Sequence, residues 1–399
     1  MSDSAGRSEE SRAAELKQVP ELDGVRGLAL ALVLELHLFA SAFGPLRRVA
    51  GAGWVGVDMF FVLSGFLITR ILRNSRESPA FFRNFYARRA LRIWPLYYLI
   101  VAFAFFGTRL LPAGLQVGTP LLPYYLTFTQ NLVGSIGFGP WAVAVTWSLA
   151  IEEQFYLAFP ICVRFLDRKR LLGVLLVLLL AMPLGRFVAL NRGVSPNTVY
   201  MTTWFRLDTL AAGALAALFV ESSLRSRVER LCGPASAFAL TAGAILCFTV
   251  FDGDILILEQ SAIAGFRAAA FSITFSLLAI GFAAFVVLAA SDRALVLRHI
   301  LRNRALRALG RISFGVYLIH GIAIVLSQHF VRAWLNSTGM PSKLVTACVA
   351  ITALGSSLLL AAISWRFLEE PILRLRRFFP AQGTMASRAQ NHGASRLSV

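Results

Sequence analysis

Arg26 and His37 lie eleven residues apart in a largely apolar run. Eleven steps of 100° bring a helix back to within about 20°, so an unbroken α-helix puts both on one face, about 16 Å apart along its axis. A guanidinium at the end of such a helix suits a phosphate, which it can grip through two parallel hydrogen bonds. An imidazole buried deeper along the same face suits general-base work. The plainer alternative makes Arg26 a snorkelling anchor and His37 a hydrogen-bond partner of a neighbouring helix. Glu152 and Glu153 form a second constellation. Adjacent helical residues diverge by about 100°, so the two carboxylates cannot serve one group equally. One is expected to orient His37 while the other pairs with an arginine, unless both only hold helices together.

Three further groups have the same double reading. Asp58, and Arg206 with Asp208, place charge inside apolar runs, where each charge costs at least about 2.5 kcal/mol and needs a partner or a role. Ser313, Tyr317 and His320 follow at i, i+4 and i+7 and share a helical face. His320 is therefore either a second catalytic or positioning group or a satisfied interhelical histidine. Arg88, Arg89 and Arg92 stand just before Ile93-Trp94-Pro95, where they could meet the phosphates of a nucleotide as well as supply ordinary interfacial charge.

Elements that hold such residues must be compatible with lipid. The 399 residues are 57% hydrophobic and 15% charged, against about 25% charged in soluble domains. The apolar residues cluster in runs long enough to cross a bilayer, at about 25–45, 53–72, 93–111, 142–164, 171–190, 199–220, 235–251, 262–290, 312–331 and 344–368. Backbone polar groups inside lipid must be satisfied within the segment, which makes these runs helices. The expected fold class is all-α, a polytopic integral membrane protein with about ten transmembrane helices. Residues 1–19 and 376–399 read as disordered cytoplasmic tails around a transmembrane domain spanning 20–375. The segment 112–140, with Pro112, Pro120, Pro123, Gly134, Gly137, Gly139 and Pro140, reads as a turn-rich lid or re-entrant stretch.

Charge fixes the expected orientation. With a cytoplasmic N-terminus, the external segments hold only Arg47, Arg48, Arg109, Arg192, Arg332 and Lys343 of the 39 Lys and Arg residues. That bias follows the positive-inside rule and places both termini in the cytoplasm of a multi-pass inner or plasma membrane protein. The net charge of +18 is then an affinity for anionic membrane lipid rather than for nucleic acid. Cys162, Cys232, Cys247 and Cys348 stand apart, so neither a disulfide framework nor a metal site is expected.

The order of motifs resembles that of the integral membrane acyltransferase-3 family, which includes O-antigen and Nod-factor acetylases and macrolide acyltransferases. Leu22-Asp23-Gly24-Val25-Arg26-Gly27 followed by His37 is similar to its Arg-x10-His signature. The blocks Gly56 to Ile68, Arg88 to Pro95, Trp147 to Tyr156, Phe205 to Asp208 with Gly213, Ser313 to His320, and Glu369-Glu370-Pro371 follow in the family's order. The resemblance covers roughly residues 20–375. It implies ten helices, a coenzyme-A-linked donor used from the cytoplasmic side, an essential His37, and donor binding by Arg26 and Arg88-Arg89. Some members carry a C-terminal esterase-like domain; none is expected within these residues.

The expected function is that of a membrane O-acyltransferase. Acetyl is the expected group, moved from acetyl-CoA or another acyl-CoA to a hydroxyl of a carbohydrate, glycolipid or macrolide-like acceptor, as in polysaccharide modification. Candidate catalytic residues are His37, Glu152, Glu153, Asp58 and His320. Arg26, Arg88, Arg89 and Arg92 are the candidate donor-binding residues, and no metal is required. A multi-span transporter also places charges at the midplane, but the chain has no internal repeat of the kind many transporters carry. A non-catalytic membrane scaffold is the other alternative.

Overall fold

The computed structural model describes residues 19–39, 51–112, 119–133, 141–251, 263–291 and 294–380. Most of the expected tails at 1–19 and 376–399, and parts of the 112–140 segment, lie outside the described residues; the start of the second tail is described, with a helical turn at Leu375–Phe378. All regular structure among the described residues is helical. Ten long helices carry the fold: α1 (Pro20–Leu34), α2 (Val55–Asn74), α3 (Phe81–Phe105), α4 (Trp147–Phe165), α5 (Arg168–Asn191), α6 (Leu207–Val220), α7 (Arg225–Phe251), α8 (Gly265–Ala289), α9 (Ser313–Leu326) and α10 (Ser342–Ser364). Each corresponds to one of the apolar runs expected from the sequence.

Eight of these helical stretches are long and apolar enough to cross a membrane. The remaining two are α1, which continues through a wide π-type turn at Glu35–Phe39, and α4. Charge sets them apart. The first carries Glu21, Asp23, Arg26 and Glu35, and the second Glu152, Glu153 and Arg164. The two least lipid-like helices are thus the ones bearing the principal candidate site residues, and both have to be shielded by the others.

That shielding is graded. In α5 only 17% of the most apolar window is buried within the protein, whereas in the stretch containing α6 the share is 72%. Leu180 and Leu184 of α5 are more than half exposed, as expected of a helix facing lipid. Helix α6 packs on α2, α5 and α8 at the centre. Small residues permit this closeness, which in lipid replaces the hydrophobic drive as the source of packing energy. A Cβ on Gly65 of α2 would strike the Leu210 carbonyl of α6, and one on Gly213 of α6 would strike the Val62 carbonyl of α2. The same reciprocal fit joins α1 to the short helix Arg304–Arg311: Gly27 meets the Leu306 carbonyl, and Gly310 meets the Asp23 carbonyl. The start of α1 is further tied down by Glu21, which accepts from Arg298 at 2.9 Å and Arg302 at 2.7 Å.

Two fully buried ion pairs sit at this centre, Arg206 with Asp58 and Arg186 with Asp208. Arg186 donates to both Asp208 oxygens, at 3.0 and 2.8 Å, and to the Phe205 and Ser272 carbonyls. The Arg206 guanidinium lies 4.4 Å from the Phe275 ring centroid and 5.1 Å from that of Tyr200. Such pairs are strongly destabilising to break, because the survivor is a buried, uncompensated charge. The structure therefore commits the Asp58 carboxylate to Arg206, joining α2 to the segment before α6. It does not place Asp58 beside His37, where a catalytic carboxylate was expected.

Candidate active site

Two cavities adjoin one another among the described residues. The outer, of about 500 Å³, is walled by Arg26, Arg70, Arg88, Arg89, Arg92, Arg311 and Arg376, together with Trp365. The inner, of about 210 Å³, is lined mostly by apolar side chains, with Ser64, Ser148, Ser313, Tyr156, Tyr317 and Glu152 among them. Arg26, Arg89 and Arg92 line both. A ligand seated across the two would put its anionic end among guanidinium groups and its other end against Glu152.

Three of these arginines, Arg88, Arg89 and Arg92, lie on the amino-terminal half of α3 and face α4, α9 and residues 365–379. The Arg89 guanidinium lies 5.0 Å from the Tyr156 ring centroid, and that of Arg92 lies 5.8 Å from Phe314 and 5.6 Å from Trp365. Arg88 donates to the Phe379 carbonyl at 3.2 Å, and Arg376 donates to the Arg88 carbonyl at 3.4 Å. Arg26 is paired with Asp23 at 2.8 Å. Among the described residues none of Arg88, Arg89, Arg92 or Arg376 is salt-bridged. Positive charge in excess around a cavity suits a polyanion.

The paired glutamates of α4 separate as their 100° spacing requires. Glu152 turns into the inner cavity, where Ser64 donates to one oxygen at 2.7 Å and Tyr156 to the other at 3.0 Å. Tyr156 also reaches Ser64 at 3.1 Å. Glu153 turns to α3 and accepts from the Trp94 indole at 3.2 Å. Neither carboxylate has His37 as a hydrogen-bond partner. His37 Nδ1 instead lies 2.9 Å from the Val33 carbonyl. A carbonyl can only accept, so Nδ1 carries the proton and Nε2 keeps its lone pair. The expected orienting carboxylate is thus replaced by the helix's own backbone.

His37 also lines neither cavity, contrary to the shared face expected with Arg26. The eleven-residue argument assumes α-periodicity throughout, and the wide turn at Glu35–Phe39 breaks it. Such turns recur at functional sites. His37 instead faces the fully buried His320, with ring centroids 5.1 Å apart. His320 Nδ1 lies 2.7 Å from the Tyr317 carbonyl, and its Nε2 is buried without a hydrogen-bond partner. Tyr317 links the two regions. Its ring lines the inner cavity and lies 5.6 Å from the His320 ring. Its hydroxyl is 2.6 Å from Ser148 Oγ and donates to the Val145 carbonyl at 3.0 Å.

Ser64, Tyr156, Ser148, Trp365 and Arg376 are therefore part of the site without having been singled out in the sequence. Ser64 and Tyr156 lay within motif blocks, but an uncharged hydroxyl in an apolar helix gives no electrostatic signal. Arg376 lies far from the arginine cluster in sequence and reaches it only because the helical turn Leu375–Phe378 folds back on α3. Among the described residues no group of three or more His, Cys, Asp and Glu side chains could hold a metal ion.

Residues 19–365 match a family model described as an acyltransferase domain. The chain is 30% identical to the peptidoglycan O-acetyltransferase OatA of Listeria monocytogenes, over 89% of this chain and 56% of that protein. It is 29% identical to the putative peptidoglycan O-acetyltransferase YrhL of Bacillus subtilis, over 89% and 55%, and 28% identical to the O-acetyltransferase OatA of Staphylococcus aureus, over 89% and 57%. The chain spans about half the length of these curated relatives. No solved structure matches it significantly. The motif order, the helical membrane fold and the family match together place this chain in the acyltransferase-3 family of multi-pass membrane acyltransferases.

Proposed function

We propose that this chain transfers an acyl group, with acetyl as the expected one, from an acyl-CoA at the cytoplasmic face to a hydroxyl of a glycan exposed on the other face. The observation that carries the reading is the arginine-walled cavity adjoining a smaller one that holds hydroxyls and Glu152. Acyl-coenzyme A is a polyanion at one end and a thioester at the other. The guanidinium groups of Arg88, Arg89, Arg92 and Arg376 suit its phosphates, and the smaller inner cavity suits the pantetheine arm. Relatives named for peptidoglycan O-acetylation favour a sugar hydroxyl as acceptor over a macrolide or a glycolipid. Both termini lie in the cytoplasm on this reading, with the arginines at the same face.

His37 serves the acceptor half of the reaction. Its Nδ1 proton is held by the Val33 carbonyl, so Nε2 is the nitrogen that receives the hydroxyl proton as the alcohol attacks, general-base work worth roughly 100- to 10,000-fold in rate. His320, whose Nε2 has no hydrogen-bond partner and whose ring centroid lies 5.1 Å from that of His37, is the neighbour to accept a hydrogen bond from His37 once that proton has been taken. The test is thiol release from acetyl-CoA by purified protein, with and without soluble glycan fragments. Glycan-stimulated release with acetyl found on the glycan is expected; binding and vesicle uptake of either compound without release would favour a transporter instead.

A further inference from the structure

The inner cavity holds a nucleophile, a base and a group that fixes the base, and His37 is not among them. Ser64 Oγ is hydrogen-bonded to Glu152 at 2.7 Å, and the other Glu152 oxygen is fixed by the Tyr156 hydroxyl at 3.0 Å. A hydroxyl within bonding reach of a base that is itself held by a third group is the general signature of an activated nucleophile. The three come from two helices, Ser64 from α2 and the others one turn apart on α4, so their geometry is set by helix packing and not by a loop. The cavity that they line is shared with Arg26, Arg89 and Arg92.

We propose that Ser64 is the first acceptor of the acyl group, forming an acyl-serine on the cytoplasmic side before the acceptor half-reaction at His37. The inference rests on the acyl-thioester reading of the cavity and adds a covalent step to it. Glu152 takes the Ser64 hydroxyl proton while Oγ attacks the thioester carbonyl. The C–S bond then breaks, and the departing thiolate takes the proton from Glu152. The products are a free thiol and a Ser64 ester, with Glu152 returned to its starting state. The arginines that line the same cavity oppose the negative charge that develops on the carbonyl oxygen. The step also accounts for the separation of the two sites. The donor's arm meets Ser64 and Glu152, whereas His37 lines neither cavity and is linked to the inner one through His320 and Tyr317.

The test uses full-length purified protein and acetyl-CoA labelled in its acetyl carbon, with no acceptor present. The labelled protein is then quenched, digested and mapped. The expected result is one acetyl ester on the peptide containing Ser64, removed by strong alkali but stable to neutral hydroxylamine. The label should persist or accumulate in His37→Ala, which blocks the later half-reaction, and vanish in Ser64→Ala. Ser64→Cys keeps a nucleophile in place and guards against misfolding as the cause of a loss. Its adduct should become a thioester, released by neutral hydroxylamine. A wild-type adduct on an imidazole, or a Ser64→Ala protein with undiminished transfer to a glycan, would overturn the acyl-serine while leaving the acyltransferase reading intact. A wild-type protein that never consumes the thioester would overturn that reading, and the acyl-serine with it.

Discussion

His37 holds its Nδ1 proton on a backbone carbonyl, so on the proposed mechanism its Nε2 is the base. His37→Ala should lower glycan-dependent transfer by about 100- to 10,000-fold, the usual worth of a positioned general base, with folded yield near that of the parent; equal activity at equal yield would remove His37 from the mechanism. Glu152 and Glu153 test a subtler point. Glu152→Gln keeps the shape of the cavity but loses the base and should lower turnover. Glu153→Gln alters only the contact with Trp94 and should change folded yield more than turnover per folded molecule. Two purified variants assayed side by side decide it, and matching turnover losses would contradict the assignment. Arg26→Lys keeps the charge but loses the planar fork. Hydrogen bonds to charged groups are worth roughly 1.5–3 kcal/mol, so donor affinity should fall about tenfold or more in a direct binding measurement; an unchanged affinity would make Arg26 an anchor. Part of this site was legible in the residues alone. The divergence of Glu152 and Glu153 follows from 100° per residue, and the arginine cluster from its density. The partners were not legible, because Ser64 and Tyr156 carry no charge and the Val33 carbonyl carries no side-chain signal at all.

At the scale of elements, apolar runs located the helices because lipid demands continuous apolar length. The same rule obscures α1 and α4, whose charges keep them from qualifying as spans by composition. Their burial depends on neighbours, which only packing reveals. Periodicity also fails where a helix changes type, and after the wide turn at Glu35–Phe39 His37 lines neither of the two described cavities that Arg26 lines. The crossing of α2 and α6 gives a test that involves no site residue. A side chain on Gly213 would collide with the Val62 carbonyl, so Gly213→Val should cost about 1–3 kcal/mol through overpacking, seen as a lower midpoint of thermal unfolding in detergent. Gly173→Ala on α5 is the control, since nothing lies within 4 Å of its new Cβ and alanine favours the helix by about 1 kcal/mol. Its midpoint should stay level or rise, and a fall as large as that of Gly213→Val would show that the crossing is not special.

At the scale of the whole molecule, charge and fold tell one story. On the proposed orientation the positive-inside bias puts most of the 39 basic residues on the cytoplasmic side, and six arginines of that set, together with Arg26, wall the outer cavity. The histidine pair lies beyond the inner cavity, reached past Tyr317. A donor held at one face and an acceptor served near the other is the arrangement that vectorial acyl transfer needs. The long-range part of it, such as the return of Arg376 to α3, was hidden in the sequence because no local pattern records which helix ends meet. The central claim is most directly tested with sealed proteoliposomes of defined orientation, acetyl-labelled acetyl-CoA supplied at the cytoplasmic face, and glycan fragments trapped at the opposite face. The account predicts labelled acetyl on the trapped glycan with the wild-type protein and none with His37→Ala. Label found only on glycan supplied at the same face as the donor would contradict it.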